Sequence, residues 1–98
     1  MKLPIGYRRV ARTEYDQAAV WYEGEQQGLG DDFVAEIQCN LDVIAEHPTR
    51  FPLVGRGIRQ AILIRFPYSI FYRIRTDWII VVAVFHHSRN PVDWQSRS

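Results

Sequence analysis

Between Pro48 and Gly57 the hydrophobic pattern of this chain changes period. Ahead of that segment, apolar residues recur at the spacing of helices; beyond it they alternate as in strands. A chain ordered this way is expected to bury a helical unit against a sheet. The helical half has two parts. Thr13 is placed to cap a first helix, with Asp16 as a capping-box variant, and Tyr15, Ala18, Ala19 and Tyr22 form its apolar stripe. Gly28-Leu29-Gly30 marks a turn. Asp31 or Asp32 is expected to cap a second helix, whose buried stripe is Phe33, Ile37, Leu41, Ile44 and Ala45 and which Pro48 ends. Two helices joined by so short a link form an antiparallel hairpin.

The remaining segments read as strands. Residues 5–11 form an N-terminal strand with Tyr7 and Arg9 on one side and Arg8 and Val10 on the other. Residues 58–65, 68–75 and 78–86 follow the loop, with Thr76-Asp77 suited to a tight reversal. The last of these is apolar on both faces, the mark of a strand covered on two sides. Asn90-Pro91 is placed to start a short final helical turn. The expected fold is therefore a single α+β domain over residues 1–98. It has an N-terminal strand, a two-helix hairpin packed on an antiparallel-rich sheet, and a C-terminal three-stranded meander.

The net charge is only +1, yet the charges are segregated. From Glu14 to Glu46 there are nine acids and no Lys or Arg; from His47 to Thr76 there are six arginines and no acid. An acidic hairpin and a basic sheet are expected, the basic side meeting an anion or an acidic partner. Lys2 is the only lysine. Arginine suits bidentate pairing with phosphate or carboxylate. Cys39 is the only cysteine, so no internal disulfide can form, and a cytoplasmic setting is expected. No segment is apolar for long enough to cross a bilayer, and no secretory leader is evident.

Strand alternation groups Arg59, Ala61, Leu63 and Arg65 on one face of their strand, and Ser69, Phe71, Arg73 and Arg75 on one face of the next. Should both sets lie on the same side, an arginine patch containing an aromatic would result, suited to nucleic acid or an acidic peptide. The competing arrangement pairs Arg59 and Arg65 with carboxylates of the hairpin. His86 and His87 end the last strand on opposite faces, with Arg89 three residues beyond His86 as a further phosphate contact. Ribonuclease chemistry needs a base for the 2′-hydroxyl, a cation on the phosphate and an acid for the leaving oxygen. Arg59, Arg65 and Arg73 could supply cations. Only His86 and His87, or Tyr68 and Tyr72 with strongly lowered pKa, could supply the acid and base, and both tyrosines share the core-facing side of their strand with Ile70 and Ile74. The sequence holds no phosphate-binding loop, dinucleotide fingerprint or metal-ligand spacing, so no cofactor or metal is expected.

Several segments together resemble one family. They are Ala19-Val20-Trp21-Tyr22 with Gly28-Leu29-Gly30-Asp31-Asp32-Phe33, His47-Pro48 with Phe51-Pro52, and Arg65-Phe66-Pro67-Tyr68-Ser69-Ile70-Phe71-Tyr72-Arg73 with His86-His87-Ser88-Arg89-Asn90-Pro91. In this order and spacing they are similar to the RelE/ParE toxin superfamily. That resemblance implies a compact toxin held in a hetero-oligomer by a cognate antitoxin. It implies one of two targets: DNA gyrase, bound without catalysis, or the ribosome, where mRNA is cut. Ser69 stands where some of the nucleases carry an arginine, and Phe66-Pro67-Tyr68 looks closer to the ParE-like side. The expectation is thus a gyrase-binding toxin with Arg59, Arg65, Arg73, Arg75 and Arg89 as binding residues. In the nuclease alternative, His86 and His87 would be catalytic.

Overall fold

The computed structural model describes residues 1–98. Strand β1 (Ile5–Tyr7) leads into helices α1 (Arg9–Glu25) and α2 (Leu29–Glu46). Strands β2 (Leu53–Gly55), β3 (Ile58–Ile62), β4 (Tyr68–Ile74) and β5 (Ile79–His86) follow, and a short helix α3 (Val92–Gln95) ends the chain. The five strands form one sheet in the order β1-β5-β4-β3-β2. Only the β1–β5 pair is parallel. The hairpin α1–α2 covers one face of the sheet, as the α+β reading required.

The hairpin face carries the main core, built on Tyr15, Phe33, Ile37, Ile70, Tyr72 and Val81. A smaller core on the opposite face joins Ile58, Phe71, Val82 and Phe85 to Trp94 of α3. The Trp94 indole stacks on the Phe71 ring at 4.0 Å. Strand β5 contributes to both cores, which is why it is apolar on both sides.

The helix starts differ from the expected ones. Strand β1 stops at Tyr7, and α1 begins at Arg9, well ahead of the Thr13 cap. The reason is the apolar line Ala11, Tyr15, Ala18 and Tyr22, which extends the helical period back past Thr13 and leaves Thr13 inside the helix. Gly28, in the left-handed region at φ 87°, caps α2, and Asp31 and Asp32 lie in its first turn. The side chain that holds this end is Glu23 of α1, which accepts the Gly28 N–H at 2.9 Å and the Gly30 N–H at 3.0 Å. A Cβ on Gly30 would fall 2.6 Å from the Ala19 carbonyl oxygen, so the tight crossing of the two helices needs glycine here.

Two further corrections concern the sheet. The loop before β3 contains β2, a short strand pairing Leu53 with Arg59. Strand β3 ends at Ile62, because Glu36 of α2 accepts the backbone N–H of Ile64 and of Arg65 and turns the chain out of the sheet. The final turn begins as expected in kind: Asn90 Oδ1 accepts the Val92 N–H at 3.1 Å, with Pro91 at the cap position.

A bulge in β5 sets what each face displays. Phe71 pairs with Ala83 and Tyr72 with Val81, so Val82 is an extra residue opposite β4. Val82 and Ala83 both join the α3-side core, while Val81 and Val84 face the hairpin. Every residue beyond the bulge is therefore on the face opposite to the one simple alternation would give it.

Candidate functional site

The bulge sends His86 to the hairpin side and His87 to the α3 side. His86 stands at the mouth of a groove of about 290 Å³ between α1 and the sheet, beside Glu14, Gln17, Trp21 and Arg89. Its ring meets Tyr68 edge-on at 5.0 Å. The Ser88 backbone N–H donates to His86 Nδ1 at 3.0 Å. Nδ1 is thus an acceptor, and the neutral ring carries its proton on Nε2. His87 Nε2 lies 2.9 Å from the hydroxyl of buried Ser69, which accepts from Gln60 Nε2 at 2.9 Å. The two imidazoles belong to separate networks on opposite sides of the sheet.

The arginines expected to gather are dispersed. Arg59 pairs across the ladder with Tyr72, and Ala61 with Ile70. Directly opposed residues share a face, so the Arg59 set lies on the hairpin side and the Arg73 set on the other. The single combined patch does not form. Arg59 donates from Nη1 to the carbonyls of Phe51, at 2.7 Å, and Thr49, fastening the loop that leaves α2. Arg65 pairs with Asp32 of the hairpin at 3.4 Å. Arg89 bridges Glu14 at 2.6 Å and Asp93 at 3.4 Å, with its guanidinium 4.2 Å above the Phe85 ring. Arg73 and Arg75 remain together, at the end of the α3 face away from Trp94. There Arg73 donates to the Arg56 and Arg97 carbonyls.

Sequence reasoning missed three important groups. Glu14 lies between the core residues Ala11, Tyr15 and Ala18 on α1, and its side chain is only 10% exposed. It receives Arg89, Arg97 and the Val84 N–H at the bulge. The available signal was an acid on the apolar side of its helix. Arg8 and Arg56 are the others. Arg8, Arg9 and Arg12 crowd the positive end of α1, where cations are disfavoured, a misfit that shows only once the helix is known to begin at Arg9.

The tyrosines are unsuited to act as bases. Burial raises the pKa of Tyr68, and it pushes that of Tyr72 up to about 12, the nearby Arg59 offsetting only part of it. The Tyr72 hydroxyl donates to the Pro48 carbonyl at 2.6 Å. Tyr72→Phe is expected to cost about 1 kcal/mol at neutral pH through that bond. In the unfolded chain the phenol ionises near 10, but in the folded protein only near 12. The folded state then holds the proton longer, so this contribution is complete below pH 10 and is lost as pH rises through 12. Melting curves from pH 7 to 12 should show the wild-type advantage over Tyr72→Phe shrinking above pH 10. An advantage constant across that range would contradict this account.

Residues 5–91 match the family model described as the ParE toxin of the type II toxin–antitoxin system parDE. The chain belongs to the ParE toxin family. A solved structure titled "Chromosomal ParDE TA system from P. aeruginosa" has a chain similar in fold, with a TM-score of 0.72 at 18% identity. The match covers 87% of the toxin described here and 96% of that chain. No curated protein matches by sequence. The matched span takes in the hairpin, the whole sheet, His86, His87 and Arg89, and stops just before α3. Arg97, which ties α3 back to Glu14, lies outside it. No helix of the toxin is long and apolar enough to cross a membrane.

Proposed function

We propose that this toxin stops growth by binding DNA gyrase without cutting a nucleic acid, and that a cognate antitoxin neutralises it in a cytoplasmic hetero-oligomer. The observation that carries the reading is the state of the groups a nuclease would need. His86 and His87 lie on opposite faces of the sheet. At the end of β5 both rings border, with Arg89, one depression of about 200 Å³. Their hydrogen bonds nonetheless run to separate partners, Ser69 for His87 and Ser88 for His86, and Arg89 is already held by two carboxylates. Cleavage needs acid, base and phosphate-holding cation around one reacting centre. Membership of the ParE family supports gyrase as the target over the ribosome. The antitoxin has a suitable seat in the groove beside Trp21, which is 58% exposed next to the still more outward Val20.

His86→Ala and His87→Ala are expected to remain toxic on induction without antitoxin, with growth arrest within about twofold of wild type. Simultaneous pulse-labelling with thymidine and an amino acid should show DNA synthesis failing first. Early arrest of protein synthesis, together with loss of toxicity in a folded histidine variant, would overturn the proposal in favour of mRNA cleavage.

A further inference from the structure

The α3 face of the sheet is only half covered. Trp94 closes the half near the start of β4. The other half presents arginine. Gly6 and Arg8 point to this side, since Ile5 and Tyr7 pack into the hairpin core. Arg73 points there from β4, Arg75 lies just past the strand's end close enough for its charge to act on Arg73, and Arg56 reaches it from the β2–β3 turn. The six ion pairs of the toxin involve Lys2, Arg12, Arg65, Arg89 and Arg97, and none involves Arg8, Arg56, Arg73 or Arg75. Asp77, in the turn after Arg75, forms no ion pair either. The other acids lie mostly on the hairpin, behind the sheet.

Four guanidiniums therefore gather with no side-chain carboxylate paired to any of them, Arg8 donating to the Ser98 carbonyl oxygen at 3.0 Å and Arg73 to the Arg56 and Arg97 carbonyls. Their closeness registers on Arg73, whose pKa is lowered first by burial and then by the charges of Arg75, Arg8 and Arg56. The Arg73 Nε–H is buried and has no acceptor, a group whose desolvation goes uncompensated. Beside the cluster lies Trp78, 37% exposed. Its indole rests over Gly6, where an added Cβ would come within 2.9 Å of the ring. A depression of about 340 Å³ lined by Arg8, Arg9, Val10, Ser96, Arg97 and Ser98 continues the surface toward the start of α1.

We propose that this half-face, formed by Arg8, Arg56, Arg73 and Arg75 with Trp78, is a binding site for the phosphodiester backbone of a nucleic acid. The chemistry favours a polyphosphate over an acidic peptide for two reasons. Guanidinium forks match phosphate oxygens bidentately. An indole at the rim adds a flat stacking surface for a base, which a run of carboxylates has no use for. The site extends the gyrase reading, because DNA is what gyrase holds, but it does not depend on it. The free toxin carries the site whichever enzyme it meets.

The test is fluorescence anisotropy of the purified toxin with a labelled 20-base-pair DNA duplex that carries a short single-stranded overhang, whose unpaired bases Trp78 can stack on, and with an RNA duplex of the same design. About three phosphates neutralised gives a slope of log K against log salt near −2.7, a weakening of roughly fortyfold between 50 and 200 mM salt. Arg75→Ala and Arg56→Ala, both at exposed positions, should each flatten that slope by about 1. Arg50→Ala, exposed in the loop before β2, should leave it unchanged. Tighter binding to DNA or to RNA identifies the natural source, and equal binding points to the shared backbone; each supports the site. Three results would overturn it: no binding at 50 mM salt, a slope that Arg75→Ala and Arg56→Ala do not alter, or displacement of the duplex by an acidic peptide at lower charge concentration than by unlabelled DNA. Thymidine labelling in cells reports on gyrase separately, so failure of either idea can be told from failure of the other.

Discussion

Phe33→Ala is expected to be the most damaging single truncation in this toxin, lowering stability by about 4 kcal/mol. Phe33 is fully buried. Its ring lies 5.3 Å from Tyr22, 5.2 Å from Phe66, 5.2 Å from Tyr68 and 6.3 Å from Tyr15, several of them edge-on. Such pairs add to the free energy of burial alone. The five rings come from both helices, the β3–β4 connection and β4, so Phe33 is where hairpin and sheet are joined. Removing it leaves a cavity that the remaining rings, held by three separate segments, cannot close. For a domain of this size the loss corresponds to a fall in Tm of about 20 °C. Phe33→Leu, which keeps most of the volume, should lose about a third as much. Thermal unfolding of the two variants decides the matter, and a loss under about 1.5 kcal/mol for Phe33→Ala would show that the ring cluster is not the joint. Toxicity should fall with Phe33→Ala through unfolding, since Phe33 is fully buried and reaches no surface.

The helical residues of this cluster and Tyr68 were legible in the sequence, and the reason is physical, whereas Phe66, in the connection between two strands, carried no periodicity to mark it as core. Tyr15, Tyr22, Phe33 and Ile37 repeat at a spacing that only one helix face can satisfy, and tertiary context had no alternative to offer them. The charge layout was equally legible, because it needs only the order of the elements. Where reading failed, a single local event overrode a period. Ala11 extended α1 back over Arg12 and over Arg9, which looked like strand. Glu23 reached from a different helix to hold the start of α2, which no local capping pattern records. Whether Arg59 and Arg73 share a face depends on the β3–β4 register, and alternation within each strand leaves that register open. The side of the sheet that receives each histidine was hidden for a similar reason. Val82 inserts one residue, and nothing in a run of valines and isoleucines marks where the insertion occurs.

That insertion also frees backbone groups that something must satisfy, and the second large effect follows from what does so. Glu14 Oε1 accepts the Val84 N–H at 3.1 Å, and Arg97 Nη1 donates to the Val82 carbonyl at 3.1 Å. The two side chains meet each other through Arg97 Nη1 at 2.9 Å and Nη2 at 3.0 Å. Arg97 is only 14% exposed. Glu14→Ala would leave that cation nearly buried, Arg89 with one carboxylate in place of two, and the Val84 N–H without an acceptor. Breaking one side of a buried pair typically costs several kcal/mol because the other charge stays desolvated. About 3 kcal/mol is expected here, shown as a fall in Tm of about 15 °C. Arg97→Ala should cost less, since Glu14 keeps Arg89 and the Val84 N–H. The double variant should then be no worse than Glu14→Ala by itself, a coupling of about 1–2 kcal/mol. Because Arg97 follows α3 directly, Glu14→Ala should also speed amide exchange at Val92–Gln95 more than at Ile79–Val81, on the far side of the bulge. Strictly additive energies, or exchange that rises equally in both segments, would mean that Glu14 merely sits beside the bulge. Coupled energies with selective release of α3 would mean that one acid on the inner side of α1 both seals the irregular strand and holds the final helix against the sheet.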